Sequence, residues 1–591
     1  MIRLRRRHTV LPAGILLASL LATPSEAATT RHAPPSPRCD LLFAGGRVVD
    51  GTGAPWFRAD VCVADGRIVA VGSLPRSPAR RRIDARGLVV APGFIDLMGQ
   101  SEYNVLVDSR AASKITQGIT TEITGEGSSI APLDARMLEA GRETYERYGY
   151  RPTFTTLAGY FAELERRGSA INLGTFVGAG GLREMIVGRD DRAATPTELA
   201  AMEAAVARAM EEGALGLSSA LIYVPDRFAS TEELIALAKV AARYGGIYAT
   251  HQRDEGADGS VGLDASLEEV FRIAREAGIP TEIFHLKASG RASWGRMPEL
   301  LAKIERARAA GLDVGADQYP WAASSNQLSA SLPAWVLEGG TEAMLARLAD
   351  PAQRERARTE FLRRADAADW PAGAERILIT GVLAAELERY QGMTLAAIAA
   401  ERGVDPFDAL VDLVIADRGQ TARVTFGMSE EDVRAALRHP LVAFCTDSGA
   451  RAEDGPFSRQ RVHPRAFGSA PRILGHYVRE ENLLTLEEAI RKMTSLPASR
   501  LRLADRGLIR PGMAADLVAF DPATIASRAT YESPLHYSAG VPFVAVNGVL
   551  VVDEGRITTA RPGRALRGPG AQPGESRRRR SGAERVVEGG R

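Results

Sequence analysis

The sequence predicts an α/β fold: a (β/α)8 TIM barrel with a small β-sandwich domain formed from both chain ends and an inserted subdomain. Three observations predict it. Eight apolar runs end abruptly in polar residues, amphipathic helices separate them, and short alternating strands with glycine turns gather near the two ends. A chain of 591 residues has room for one large barrel with additions.

In order, residues 1–27 read as a signal peptide. Arg3, Arg5, Arg6 and Arg7 form a basic start, Val10 to Ala22 is an apolar run too short to span a bilayer comfortably, and Ser25-Glu26-Ala27 offers a small-x-small cleavage site. The paired arginines allow export by the twin-arginine route, so the mature protein is expected to be exported and periplasmic, with no membrane span after signal removal. Residues 28–38 are a proline-rich flexible leader. Residues 39–91 form the first part of the sandwich, with Asp65-Gly66 as a hairpin signal; residues 505–567 form the second, where Asn547-Gly548 marks another tight turn. Neither end has enough strands to stand alone, so both are expected to fold together.

The barrel is expected over 92–504. Its eight strands are read at Ile95–Met98, Thr120–Thr124, Leu173–Val177, Leu215–Ser218, Ile247–Thr250, Glu282–Phe284, Val314–Ala316 and Val442–Cys445. Helix starts are marked by Thr195-Pro196-Thr197-Glu198, a capping box with proline at the first helical position, and by the pairs Ser230/Glu233 and Thr485/Glu488. The stretch 333–428 is too long for one βα loop and is expected to be an inserted subdomain over the barrel mouth. The glycine-, proline- and arginine-rich residues 568–591 are expected to be a disordered tail.

Composition narrows the function. Net charge is +1, from 74 basic and 73 acidic residues, which gives no basic excess and so no expectation of a nucleic-acid partner. Three cysteines are too few for a disulfide framework; Cys39 and Cys62 can pair if their strands are neighbours, and Cys445 reads as a small core residue.

Polar residues at barrel strand ends face the mouth where chemistry occurs. Those positions hold Gln100, Glu102, Glu126, His251, His285, Lys287, Asp317 and Asp447. The chain has only eight histidines, and His251 and His285 end consecutive strands. A catalytic zinc site takes about three ligands from His, Cys, Asp or Glu plus an open position. Glu126, His251 and His285 would supply that set, and Asp447 has the location to receive a proton from water. The bland alternatives are a hydrogen-bonded structural histidine, a turn glutamate at Gly125-Glu126-Gly127 and a capping aspartate.

From about Asp40 to Arg567 the chain resembles the N-acyl-D-amino-acid deacylases, the D-aminoacylase branch of the amidohydrolases. The resemblance is carried in order by Gly46-Arg47-Val48-Val49-Asp50-Gly51-Thr52-Gly53, Gly216-Leu217-Ser218-Ser219, Tyr223-Val224-Pro225 and Ala249-Thr250-His251-Gln252-Arg253-Asp254-Glu255. It continues through Ala316-Asp317-Gln318-Tyr319-Pro320, Pro471-Arg472-Ile473-Leu474-Gly475-His476-Tyr477 and Lys492-Met493-Thr494-Ser495-Leu496-Pro497-Ala498. The resemblance implies that His251 and His285 are zinc ligands, that Asp447 is the general base and later acid, and that Tyr223 and Lys287 contact the substrate carboxylate. The alternative for Lys287 is an ion pair with a nearby acid.

Two departures accompany it. Glu126 stands in the loop where such proteins carry a ligating cysteine, and a glutamate can ligate zinc through oxygen. The His-x-His of the first strand is replaced by Gln100-x-Glu102, remnants of a second metal position, so one zinc per chain is expected. The implied activity is zinc-dependent hydrolysis of an N-acylated amino acid or D-peptide. A D-peptidase, dipeptidase or cyclic-amide hydrolase, and an exported binding protein that has lost catalysis, are the alternatives.

Overall fold

The computed structural model describes residues 37–256, 261–364 and 367–572. The expected signal peptide and most of the expected leader lie outside them, as do residues 573–591. Gly568 to Gln572 are ordered, contrary to the expected start of a disordered tail. The amide of Gly568 donates to the Gly213 carbonyl at 2.9 Å and that of Gln572 to Glu211 at 3.0 Å, which anchors the segment to the barrel exterior.

All eight barrel strands form where the apolar runs stand. They are Phe94–Asp96, Ile119–Thr124, Asn172–Thr175 with its continuation Val177–Gly178, Gly216–Ala220, Ile247–His251, Thr281–Ile283, Val314–Gln318 and Val442–Phe444. Neighbours pair in parallel from the first strand to the third and from the third's continuation to the eighth. The barrel closes where Leu97 N–H meets the Phe444 carbonyl at 3.4 Å and Asp447 N–H meets Met98 at 2.9 Å. Closure buries these strands on both faces, which is why they read as continuous apolar runs rather than alternating ones.

The helices start as their sequences require. Thr195 Oγ1 accepts from the Glu198 amide while Glu198 reaches back to the Thr195 amide, completing the capping box of Pro196–Glu212. Met202, Val206, Ala209 and Met210 share its buried face. Ser230 and Thr485 cap Thr231–Arg243 and Leu486–Met493 through hydroxyls that accept from the Glu233 and Glu488 amides. No helix among the described residues is long and apolar enough to cross a membrane.

The two chain ends meet in one nine-stranded sheet, in which Val89–Pro92 pairs antiparallel with Leu517–Phe520. Leu41, Phe43, Val61, Leu517 and Ala545 pack in its core. Asp65-Gly66 and Asn547-Gly548 turn its hairpins, with Asp65 and Asn547 in the left-handed region at φ 50° and 47°. Cys39 and Cys62, on paired strands, form a disulfide, and Cys445 is a buried free thiol.

Between the seventh and eighth strands lies the insertion. Its three-stranded antiparallel sheet (Ser324–Gln327, Ala422–Thr425, Ile377–Gly381) begins ahead of Pro333, the expected start, and its helices close a separate core around Val336, Phe361, Phe407 and Leu410. Residues from this insertion and from the barrel strand ends line a common cavity.

Candidate metal centre

Glu126, His251 and His285 converge from the ends of the second, fifth and sixth strands. His251 Nδ1 lies 2.8 Å and His285 Nε2 3.2 Å from Glu126 Oε1. It is the one grouping among the described residues whose donor atoms, all within 4.8 Å of one another, could hold a metal ion. The carboxyl of Glu126 is buried, which favours its neutral form, yet the bonds from His251 and His285 outweigh burial and hold it below the usual carboxylate range. A carboxylate and two imidazoles, with His251 Nδ1 and His285 Nε2 both turned to the same Glu126 oxygen, fit a divalent ion of the zinc type.

The backbone at the cluster is specialised. His285 sits at φ +34°, and its amide is fixed by Asp317 Oδ1 at 2.7 Å across from the seventh strand. Behind the histidines stands Glu255, which the resemblance contained but no role marked. Its carboxylate accepts from Lys287 Nζ at 2.6 Å and lies 3.2 Å from His285 Nδ1 and 3.4 Å from His251 Nε2. Lys287 also donates to His285 Nδ1 at 2.6 Å. The ammonium expected to meet a substrate carboxylate is thus engaged by Glu255, the ion-pair alternative, and orients His285 from behind.

Asp447 faces the cluster from the eighth strand end. Gln100 Nε2 bridges to it, donating to Asp447 Oδ1 at 3.0 Å and Glu126 Oε2 at 3.2 Å. Asp447 Oδ2 pairs with Arg465 Nη1 at 2.6 Å. Burial raises the Asp447 pKa above the ordinary aspartate value, and Arg465 only partly opposes this. Arg465 is held in turn by His463, whose Nδ1 accepts the Arg465 amide at 3.0 Å. Glu102 does not join the site: its Oε2 is buried with no hydrogen-bond partner, and burial pushes the carboxyl up to about 8. Tyr223 does join, with its ring 5.5 Å from that of His251 and its hydroxyl 3.5 Å from Asn326 Nδ2. Gln100, Glu126, Tyr223, Asn326, Asp447 and Arg465 line one cavity of about 260 Å³.

Beneath Asp447 lies a charged network that sequence reasoning missed. Lys114, fully buried in the short helix Ala112–Ile115, donates at 2.7 Å each to Asp96 Oδ2, Thr446 Oγ1 and the Ser448 carbonyl, and lies 3.3 Å from Glu122. Asp96 accepts the Thr446 amide at 2.8 Å, and Glu122 accepts the Ser101 amide at 2.9 Å and hydroxyl at 2.7 Å. Both neighbours of Asp447 are therefore gripped by Lys114, while Asp447 itself takes the left-handed conformation at φ +48°. That conformation is uncommon outside glycine and persists because its surroundings fix it.

Comparison with known proteins identifies the family of the chain. Residues 81–552 match the model of the amidohydrolase family. D-aminoacylase of Alcaligenes xylosoxydans xylosoxydans is 37% identical over 533 residues, 89% of this chain and 97% of the relative. The N-acyl-D-glutamate deacylase of Bordetella bronchiseptica, solved with zinc and a phosphonate inhibitor, superposes with a TM-score of 0.75 at 36% identity over 90% of this chain and all of that one. A D-aminoacylase structure concerned with a binuclear metal centre, one-metal activation and second-metal attenuation gives a TM-score of 0.73 at 37% identity with the same coverage. The barrel, the carboxylate–histidine cluster at its mouth and these likenesses together establish that the chain belongs to the amidohydrolase family.

Proposed function

We propose that the protein is a metal-dependent hydrolase that cleaves the amide bond of N-acyl-D-amino acids to a carboxylate and a free D-amino acid. The observation that carries this reading is the convergence of Glu126, His251 and His285 opposite Asp447, with Gln100 joining the two halves. Relatives named D-aminoacylase and N-acyl-D-glutamate deacylase, matched over nearly their whole length, support the substrate class.

Glu126, His251 and His285 would hold the ion, one zinc per chain in this reading. When bound there, zinc supplies a Lewis acid that polarises the amide carbonyl and lowers the pKa of water from about 15.7 towards about 7. A single ion is favoured because Gln100, an uncharged carboxamide, bridges Glu126 and Asp447, and Glu102 belongs neither to the cavity lining nor to the ligand cluster. Asp447 accepts a proton from the attacking water and returns it to the departing nitrogen; a carboxyl raised above the ordinary aspartate value suits a group that must both take and give. Arg465, 2.6 Å from Asp447, keeps that carboxylate aimed and offers a guanidinium beside the place where the substrate's α-carboxylate must sit. Tyr223 walls the same cavity next to His251.

Elemental analysis of the mature protein, with hydrolysis of acylated D- and L-amino acids in the presence and absence of a chelator, tests this. Metal bound near one equivalent and chelator-sensitive release of D-amino acids are expected; a metal-free protein inactive on every D-substrate refutes it. Export to the periplasm is part of the proposal, supported by the basic, apolar N-terminus and by the Cys39–Cys62 pairing, which suits an oxidising compartment. Cell fractionation tests that part.

A further inference from the structure

The Gly216-Leu217-Ser218-Ser219 stretch of the fourth strand supplies no ligand to the metal cluster, yet it reaches the loop that carries one. Glu126 stands between two glycines with positive φ, Gly125 at +93° and Gly127 at +61°. Such a segment has little stiffness of its own, because glycine populates positive and negative φ about equally. Its shape is set from outside. Ser218 Oγ, fully buried, donates to the Gly125 carbonyl, with the Val177 carbonyl further off at 3.5 Å. On the other flank the Gly181 amide, in the first turn of the helix Ala179–Ile186, donates to the Gly127 carbonyl at 3.1 Å. Ser129 Oγ accepts the Gly178 amide at 3.1 Å and donates to the Ala131 carbonyl at 2.6 Å. The approach is close: a side-chain carbon at Gly178 would lie 2.3 Å from the Gly127 carbonyl oxygen.

The carbonyls on either side of Glu126 are thus each fastened by one donor, from the fourth strand and from the helix after the third. Glu126 Oε1 meets both imidazoles only while its main chain is held, and the flanking glycines cannot hold it. Ser219 has a different task. Successive strand residues face opposite ways, and its hydroxyl lies 2.6 Å from that of Tyr248 and 2.8 Å from that of Thr250. The two serines, adjacent in sequence and equally buried, therefore separate a bond to the ligand loop from a bond inside the barrel wall.

We propose that Ser218 is a positioning residue for the metal site: its hydroxyl fixes the loop at Gly125 so that Glu126 is presented to His251 and His285 in a ligating geometry, and the affinity for the ion depends on it. This rests on the reading of Glu126, His251 and His285 as the ligands. Ser218 acts through the main chain beside a ligand, as groups behind a metal site do, and its loss loosens the grip on the ion without removing a donor atom.

The test measures zinc affinity by competition with a chromophoric chelator in the wild-type protein and in Ser218→Ala, Ser129→Ala and Ser219→Ala, with the unfolding midpoints of the chelator-stripped proteins in parallel. Ser218→Ala is expected to bind zinc roughly ten- to a hundredfold more weakly, the usual effect of removing a group behind a metal ligand. Ser129→Ala, at a half-buried position, frees the far end of the same loop and should weaken zinc in the same direction, which keeps the test decisive if Ser218→Ala does not fold. Ser219→Ala is the structural control: its midpoint should fall while its zinc affinity stays at the wild-type value. An unchanged affinity in Ser218→Ala, or in Ser129→Ala where the former does not fold, overturns the assignment, as does an equal loss in Ser219→Ala. If the wild-type protein binds no zinc, the reading of the three ligands itself falls.

Discussion

Replacing Lys114 by methionine probes the part of the molecule that holds Asp447 in place. The side chains of Lys114, Asp96 and Glu122 are all at 0% exposure, so none of their charge is screened by solvent. Removing the ammonium leaves two carboxylates in the interior without a cation, and breaking a buried pair from one side costs about 3–5 kcal/mol. Burial already pushes Glu122 up to about 7 with Lys114 opposing it. Without Lys114 the carboxyl rises further and takes a proton in the folded state that the unfolded chain, titrating near 4.5, has released. Folded protein then binds more protons than unfolded, so stability falls as pH rises from about 5 to beyond 7. The deficit in denaturant unfolding is therefore expected at the lower end of that range, about 3 kcal/mol, near pH 6 and towards about 5 kcal/mol near pH 9.

Catalysis should suffer separately. Thr446 and Ser448 lose their common anchor, and misplacing a reacting group by 1 Å can cost about a hundredfold. A fall of kcat of that order with undiminished metal content is the expected result. A Lys114→Met enzyme with wild-type denaturation midpoint at pH 9 and wild-type kcat would refute the reasoning.

Other substitutions separate the remaining roles. Glu126→Ala should weaken metal binding at least about a hundredfold, measured by competition with a chromophoric chelator, because it removes a ligand rather than a group behind one. Asp447→Asn should keep its metal and lose about 10²–10⁴ in kcat, since only the proton carrier is removed. Lys492, buried in Leu486–Met493 with its ammonium bonded to the His439 carbonyl, has its pKa lowered by burial to about 7. Between pH 7 and about 10.5 the unfolded chain binds a proton there that the folded chain does not, so this group's contribution to stability rises with pH. Wild type should gain on the order of 3 kcal/mol relative to Lys492→Met from pH 7 to pH 10 in chemical denaturation; parallel pH profiles would show that the lysine keeps its proton in the folded state as it does in the unfolded one and would refute the shift.

What could be read from the sequence follows from which signals are local. Each barrel strand was legible because a doubly buried strand is apolar throughout and stops at a polar residue facing the mouth, as at Thr250-His251 and Phe284-His285. Glu126, His251, His285 and Asp447 were found by position alone, and the structure brings all four to one cavity or its wall. Glu255 and Arg465 carried no such mark. Glu255 sits beyond a strand end in irregular chain and Arg465 opens the helix Arg465–Arg472, and only the folded chain returns Glu255 behind the histidines and Arg465 onto Asp447. Lys114 was hidden for the opposite reason: a lysine in a short helix ordinarily faces water, and its burial depends on Asp96 and Glu122 from two neighbouring strands. Glu102 shows the limit of counting along a strand, since the chain bends after Ser101, whose amide and hydroxyl are taken by Glu122.

The pairing of Val89–Pro92 with Leu517–Phe520 sets the order in which this protein can be completed. During synthesis, at ~5–20 residues per second, the early strand exposes an open edge for tens of seconds before its partner is made. The strand pairings within residues 39–92 are available in that interval. The nascent chain thus presents a strand edge and an unfinished barrel together, a form prone to mispairing and one that a holding chaperone would recognise. Shortening the C-terminal strands would leave that edge open permanently, so their loss should lower the yield of folded enzyme without touching any residue at the mouth.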